Sequence, residues 1–368
     1  MTWPFRRKAK TKKTPTRLRI FLWSFVICAI AAVINIAMPL EDLFRGARDY
    51  VRARPGDGSI VVVTIDDKTV KRFQTSYYSR KYNATLLDRA FAEGARRIYF
   101  DESFRLPLDT EGDDRFAESL IRHEGKVHIG AAQFRNYDGT EQIRFYPIEK
   151  FRPHVPVRSM HALKTPFGLS SLVFYADEID GKTVPSISSD IAGVKGAPGT
   201  FYRPDWSIEA KSIPQISLTD IIDNKIPPGF FAGKDVVVGV SAQTENDFVY
   251  ILGQGWIPGL YSHAIGAMTL KEGRPIDIGG LPALLVASLL SVLLLASRQQ
   301  RTANGLLFIA LVAGATVPFV LDSYLIDSQY LPAFAMFGIV YIRSSALRSL
   351  LEARLLNAGT LLPNLSAL

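Results

Sequence analysis

Four long apolar stretches interrupt the chain, one near its N-terminus and three near its C-terminus. They cover residues 20–40, 278–297, 302–322 and 325–342. An apolar helix of about 20 residues is long enough to cross the hydrocarbon core of a bilayer. The last stretch is the shortest apolar run and contains Asp327, so tilt or local thinning of the bilayer would help it to span. The pattern predicts four transmembrane α-helices.

The segment between them, residues 41–277, has no sustained apolar run and alternates strand-like with helix-like pieces. It opens with IVVVTI at 60–65, a β-branched run that is typical of a strand buried in a parallel sheet. The further predicted elements are helix 83–96 with Asn83 as N-cap, strand 97–101, helix 114–125, strand 126–134, helix 217–225 and strand 234–243. Between them, residues 134–213 suggest β-hairpins and loops. This order predicts a soluble α/β domain with a mostly parallel central sheet.

The net charge of +8 is confined to one end of the chain. Residues 1–19 carry eight Lys/Arg and no acid, whereas the rest carries 35 Lys/Arg and 35 Asp/Glu. The first C-terminal connector contains Arg298 and Arg301, and the connector at 322–330 contains two acids and no base. By the positive-inside rule both termini face the cytoplasm and 41–277 lies outside.

The basic arm followed by an apolar run also fits a secretory signal peptide. The run is longer than the apolar region of such a peptide, and Asn35 to Leu40 contains no good small-residue cleavage site. We therefore favour a retained membrane anchor. Its basic residues are expected to contact anionic membrane lipid, each contributing about 1 kcal/mol, and no nucleic-acid partner is expected.

Several segments resemble the type 2 CHASE domain. They are IVVVTIDDK at 60–68, GARRIYFDESFR at 94–105, DDRFAESL at 113–120, residues 213–249, and IPGLYSHAIGAMTLKEGR at 257–274. The family's tryptophan-proline turn ahead of its arginine is replaced here by SYYSR at 76–80, so a ligand contact at that turn is not carried over.

The resemblance implies a periplasmic or extracellular sensor module of bacterial cyclases, histidine kinases or cyclic-di-GMP enzymes. Such proteins place one span before the sensor and three after it. The expected protein is therefore a non-catalytic, multi-pass sensor of the bacterial inner membrane. It would detect an unknown periplasmic ligand and relay the signal to a cytoplasmic output domain, with cyclic-di-GMP turnover as the expected output.

The C-terminal segment 343–368 is predicted as a cytoplasmic signalling helix followed by the start of an output domain. Leu347, Leu351 and Leu355 fall on one helical face, which suits a coiled connector between two copies in a homodimer. The sequence GTLLPNLSAL at 359–368 is similar to the opening of GGDEF diguanylate cyclase domains, although a coincidental match is the alternative.

Acids follow the predicted parallel strands where ligands favour α/β sheets, at the carboxyl ends. The candidate ligand-binding residues are Asp66, Asp67, Arg80, Asp101, Glu102, Ser241 and Asp247. Such a cluster can hold the amine of a small ligand or a divalent cation as cofactor, with Asp66 and Asp101 as the ligands of the cation. The alternative is structural: Asp66 and Asp101 cap helices or pair with Arg80.

Two further expectations concern chemistry. A membrane-anchored, metal-dependent periplasmic hydrolase using Asp66, Asp67, Asp101 and Asp247 is the alternative function. His263 is expected to be a hydrogen-bonded structural residue. The single cysteine, Cys28, excludes an intrachain disulfide and any multi-cysteine metal site.

Overall fold

The computed structural model describes residues 17–75, 77–135, 142–245 and 247–355. They form two compact units, one made of residues 42–277 and the other of the described residues before 42 and after 277. The basic residues before Arg17 and the GGDEF-like sequence at 359–368 lie outside the described residues.

The strands are β1 (Ile60–Ile65), β2 (Arg97–Phe100), β3 (Val127–Arg135), β4 (Gln142–Phe145), β5 (Val157–Ser159), β6 (Ala162–Lys164), β7 (Ser171–Phe174), β8 (Ala176–Ile179), β9 (Lys182–Pro185), β10 (Phe201–Tyr202), β11 (Gln215–Ser217), β12 (Asp235–Val240), β13 (Phe248–Ile251), β14 (Gly255–Pro258), β15 (Ile276–Asp277) and β16 (Ile326–Asp327). The helices are α1 (Arg17–Val33), α2 (Met38–Val51), α3 (Asp67–Phe73), α4 (Lys81–Ala92), α5 (Thr110–Arg122), α6 (Ile187–Ala192), α7 (Leu218–Ile222), α8 (Leu260–Glu272), α9 (Leu281–Ala296), α10 (Gln300–Ser323) and α11 (Leu331–Leu355).

A central sheet organises the unit at 42–277. Its strand order is β11-β1-β12-β2-β3-β4, with β5 also paired to β3. The pairs β11–β1, β1–β12, β12–β2, β2–β3 and β3–β5 are parallel, and β3–β4 is antiparallel. The prediction of an α/β domain with a largely parallel sheet is confirmed. The late strand β12 inserts between β1 and β2, so the first two strands in the sequence are not neighbours.

Helices cover both faces of this sheet. Alternate residues of a strand point to opposite faces. Val61 and Val63 therefore pack with Leu86 of α4 and with α5 and α7 in one core. Ile60 and Val62 face the opposite core, which contains Leu260 and other residues of α6 and α8. Because both faces are covered, β1 is buried along its whole length, as its uninterrupted β-branched sequence indicates.

Two predicted helix starts were wrong. Asn83 does not cap α4 but lies buried inside it and accepts a hydrogen bond of 3.0 Å from the Tyr78 hydroxyl. The helix predicted from residue 114 begins four residues earlier, because the side chain of Asp109 accepts from the Gly112 amide at its first turn.

In the second unit α1, α9, α10 and α11 pack together. Ile20, Leu294 and Phe337 lie in their shared core. Large apolar side chains also lie on the outside of the bundle, including Leu289 of α9 and Phe308 of α10. The bundle is therefore apolar both inside and outside.

The expectation of four separate spans needs correction. Among the described residues α10 is the one helix long and apolar enough to cross a membrane, or there are two spans if α1 and α2 count as one broken span. The stretch at 20–40 is interrupted after Val33, where Asn35 adopts a left-handed conformation. The helix α9 is apolar but only 16 residues long. In α11, a charged segment follows the apolar residues.

Candidate functional site

A cavity of about 800 Å³ lies beside the carboxyl end of β2. Its lining comes mainly from residues 101–108 after β2, 160–164 around β6, 247–249 at the start of β13 and 259–263 at the start of α8. The site is thus assembled from segments far apart in the sequence, at the strand edge where ligands bind in α/β domains.

A buried ion pair forms part of the cavity lining. Asp101 follows β2 directly, and its Oδ1 lies 3.4 Å from Nε2 of His263 in the first turn of α8. Gly239 of β12 leaves room for the Asp101 side chain, because a Cβ at Gly239 would stand 3.2 Å from Cβ of Asp101. Burial alone would lower the pKa of His263, but the neighbouring charge of Asp101 and the more distant charge of Asp247 raise it above its ordinary value. His263 is a structural partner of Asp101, as expected, and also lines the cavity.

Glu102 is the second acid of the lining. Burial of its carboxyl raises the pKa to about 7, against the attraction of Arg80 and with a further rise from the charge of Asp101. The guanidinium of Arg80 is itself committed elsewhere: Nη1 donates to Oδ1 of Asp113 at 2.6 Å, and Nη2 donates to the carbonyl of Leu106 at 2.6 Å. Arg80 therefore fixes the loop that follows β2.

Asp247 is the third acid, at the exposed side of the cavity. A Cβ at Gly259 would stand 2.7 Å from its Oδ1, so the carboxyl lies against the start of α8. Partial burial of the carboxyl raises its pKa to about 6, and the charge of Asp101 adds to the rise, while His263 and Lys164 oppose it.

The remaining predicted site residues lie elsewhere. Asp66 caps α3 by accepting from the Thr69 amide at 2.9 Å, and it also accepts from Ser217 Oγ. It lines a second cavity of about 460 Å³ together with Ser241. Asp67 is exposed and accepts from the amide of Gln243. The expected single cluster is therefore divided, because β12 separates the ends of β1 and β2.

Sequence reasoning missed other parts of the lining. Ser262 is 1% exposed, and its hydroxyl has no hydrogen-bond partner among the described residues. Tyr77, Phe134 and Phe248 supply aromatic surface. Ser262 lies next to His263 in the segment that resembles the CHASE family, which is the one sequence signal that could have drawn attention to it.

No group of three or more His, Cys, Asp or Glu side chains within the described part of the chain could hold a metal ion. Asp66 and Asp101, the two acids predicted as metal ligands, line different cavities. The lining of the larger cavity instead offers separate acids, a hydroxyl and aromatic surface. Such a mixture suits an organic ligand.

A polar and aromatic cavity at the strand edge of an α/β domain lies where small molecules bind in such folds. The sequence model of the CHASE2 domain matches residues 24–297. The chain belongs to the CHASE2 family, whose members are extracellular or periplasmic sensory domains. No curated protein and no solved structure showed a significant match.

Proposed function

We propose that the chain is the sensory and membrane part of a bacterial receptor. A periplasmic stimulus binds in the cavity beside β2, and the apolar helices carry the change to a cytoplasmic output domain. The observation that carries this proposal is the 800 Å³ cavity, lined by acids and aromatic side chains, within a CHASE2 domain. The chain itself is not an enzyme in this proposal, and cyclic-di-GMP turnover is the proposed output.

The apolar outer surface of the helical unit supports a membrane location. Side chains such as Leu285, Val286 and Ile309 are more than half exposed, which is costly in water and favourable in lipid. We propose a multi-pass arrangement in the inner membrane, with α10 as one span and the bent pair of α1 and α2 as a second, broken span. The basic arm at 1–19 would then contact anionic lipid on the cytoplasmic side.

The helix α11 is the proposed relay. It continues without a break from the apolar residues at 331–342 into the charged segment that ends at Leu355. Leu347 is half-buried, and Leu351 and Leu355 belong to the last turns of the same helix. A homodimer would pair these turns as a coiled connector. The ligand must bind one state of the receptor more tightly than the other, since equal affinity shifts nothing.

The hydrolase hypothesis has less support. It needs Asp66, Asp67, Asp101 and Asp247 around one metal ion. Asp66 caps α3 and lines the smaller cavity, whereas Asp101 pairs with His263. The acids are therefore not assembled for such chemistry.

A fusion experiment tests the proposed relay. An intact diguanylate cyclase is joined after Leu368, and cellular cyclic-di-GMP is measured while candidate ligands are added outside. We expect a dose-dependent change that Leu351→Asp or Leu355→Asp abolishes, because a charge in the apolar repeat of a coiled connector opposes its pairing. The matched control is Ser349→Asp at an exposed position of the same helix. Output that never responds, with all variants equal to the parent, would contradict the relay.

A further inference from the structure

Two carboxylates of the larger cavity lack protein partners. Neither Glu102 nor Asp247 makes a side-chain hydrogen bond or ion pair with the described residues. The third acid, Asp101, is matched by His263 at 3.4 Å. Glu102 is half-buried and Asp247 is exposed at the cavity. Because no donor among the described residues occupies either carboxylate, both can accept hydrogen bonds from a ligand in the cavity.

Ser262 provides an independent observation. It lies in the first turn of α8, is 1% exposed, lines the same cavity and has no partner for its hydroxyl among the described residues. Buried hydroxyl groups without partners are uncommon in native proteins. It adds to the cavity lining a third group that can accept a hydrogen bond.

Among the described residues, the basic side chains that line the cavity form no ion pair with Glu102 or Asp247, because their charged groups lie near other partners. Arg80 is bound to Asp113 and to the Leu106 carbonyl. Lys164 is exposed and donates to the carbonyl of Phe248 at 3.3 Å. The other three basic groups have different neighbours. The Arg105 guanidinium lies 4.7 Å from the centre of the Phe145 ring, His161 contacts Asp177 at 3.1 Å, and His263 lies 3.4 Å from Asp101.

The size and walls of the cavity indicate an organic molecule rather than a bare ion. A volume of about 800 Å³ falls in the range of small-molecule sites. Tyr77, Phe134 and Phe248 line it, and aromatic faces attract organic cations as well as apolar groups. A primary ammonium group offers three donors and no acceptor, which complements two carboxylates and a hydroxyl.

We propose that this cavity binds a small organic amine, whose positive charge is attracted by the carboxylates of Glu102 and Asp247 and whose N–H groups donate to one of these carboxylates or to the hydroxyl of Ser262. The carbon chain or ring of the amine packs against Tyr77, Phe134 or Phe248. This inference deepens the proposed function by naming the ligand class, and its signalling role rests on that function. Binding itself can be measured without any output domain.

The site has a pH signature. Glu102 accepts a strong hydrogen bond from an ammonium group only when its own carboxyl is deprotonated. Without a ligand the pKa of this carboxyl is raised to about 7. Amine binding therefore favours loss of that proton, and affinity rises as the pH increases from about 6 to about 8. The groups that set this behaviour are Arg80, Asp101, Asp247, His263 and Lys164.

The test is isothermal titration calorimetry on the full chain in lipid nanodiscs. The probes are n-butylamine, putrescine and phenethylamine, and the matched neutral probes are butanol and phenethyl alcohol. We expect the amines to bind and the alcohols to bind at least about tenfold more weakly, since a charge-assisted hydrogen bond is lost. Absence of amine binding, or equal binding of amine and alcohol, overturns the inference.

Variants assign the binding to the named residues. Glu102→Gln and Asp247→Asn should each weaken amine binding about tenfold or more, and Ser262→Ala should weaken it by a few-fold. The control Glu118→Gln removes an exposed acid of α5 and should leave affinity unchanged. Circular dichroism verifies that each variant is folded. Unchanged affinity in folded Glu102→Gln and Asp247→Asn overturns the assignment.

The two proposals fail in different ways. Amine binding without a change in the output of the cyclase fusion supports the binding site and contradicts the relay. A fusion that responds to another stimulus while no amine binds overturns the amine site and leaves the sensory function standing.

Discussion

The ion pair between Arg80 and Asp113 should be a main determinant of the stability of the sensory unit. Their side chains are 7% and 4% exposed, and the contact measures 2.6 Å. Asp113 also accepts from the Leu108 amide at 3.2 Å, so the pair ties α4, α5 and the loop at 103–108 together. Removing one partner leaves the other charge buried, which typically costs about 3–5 kcal/mol.

We therefore expect Asp113→Ala to lower the free energy of unfolding by about 3–5 kcal/mol. The double variant Arg80→Met with Asp113→Leu should recover much of this loss, because it leaves no unpaired charge. A matched exposed pair is Arg144 and Asp180, 56% and 45% exposed. There, Asp180→Asn should cost less than about 1 kcal/mol.

The assay is urea unfolding of the full chain in detergent, followed by tryptophan fluorescence, to which the buried Trp206 of the sensory unit contributes. The slope of the transition must stay constant for the comparison to hold. A loss below about 1 kcal/mol for Asp113→Ala would refute the reasoning. A double variant less stable than Asp113→Ala would refute it as well.

Two further predictions concern the acids of the cavity. Gly259→Ala should displace Asp247, because the new Cβ would stand 2.7 Å from Oδ1; we expect at least a few-fold loss of amine affinity by calorimetry, whereas Gly305→Ala, which meets no atom within 4 Å, should change nothing. Glu102→Gln should stabilise the protein above pH 7 and not at pH 4. The pKa of Glu102 is raised to about 7 in the folded state, whereas an unfolded glutamate has a pKa of about 4.3. The folded state therefore loses stability, on the order of 1–3 kcal/mol, as the pH rises from about 4.3 through about 7. Urea unfolding at both pH values checks this, and a variant less stable than the parent at pH 8 would contradict it.

Local sequence was a good guide to the strands of the sensory unit. The β-branched runs of β1 and β12 and the short strand β2 lie where the pattern placed them. Helix starts were harder to predict, since α4 begins after Arg80 without a side-chain cap. The insertion of β12 between β1 and β2 depends on pairing over long sequence distances, which a local hydrophobic pattern does not encode.

The candidate site was predicted in part for the same reason. Asp101, Glu102, Arg80 and Asp247 do line one cavity, as acids and a base near the strand ends suggested. Asp66 and Ser241 were assigned to the same cluster, but the strand order places them at another cavity. The role of Arg80 depends on how α5 packs on α4, which brings Asp113 to it.

The partner of Asp101 could not be predicted because it comes from a distant helix. Asp101 directly follows β2, whereas its partner His263 lies in α8, far later in the sequence. Likewise, the lack of a hydrogen-bond partner for the Ser262 hydroxyl among the described residues depends on how the cavity is packed, and not on the neighbouring residues in the sequence. Such pairings need the three-dimensional arrangement of elements.

The most direct test of the sensory account is the output of the cyclase fused after Leu368, measured against external phenethylamine in the parent and in Glu102→Gln with Asp247→Asn. The account predicts a dose-dependent change of cyclic-di-GMP in the parent that the double variant loses, with Glu118→Gln behaving as the parent. A response that persists in the folded double variant would contradict the claim that this cavity receives the signal.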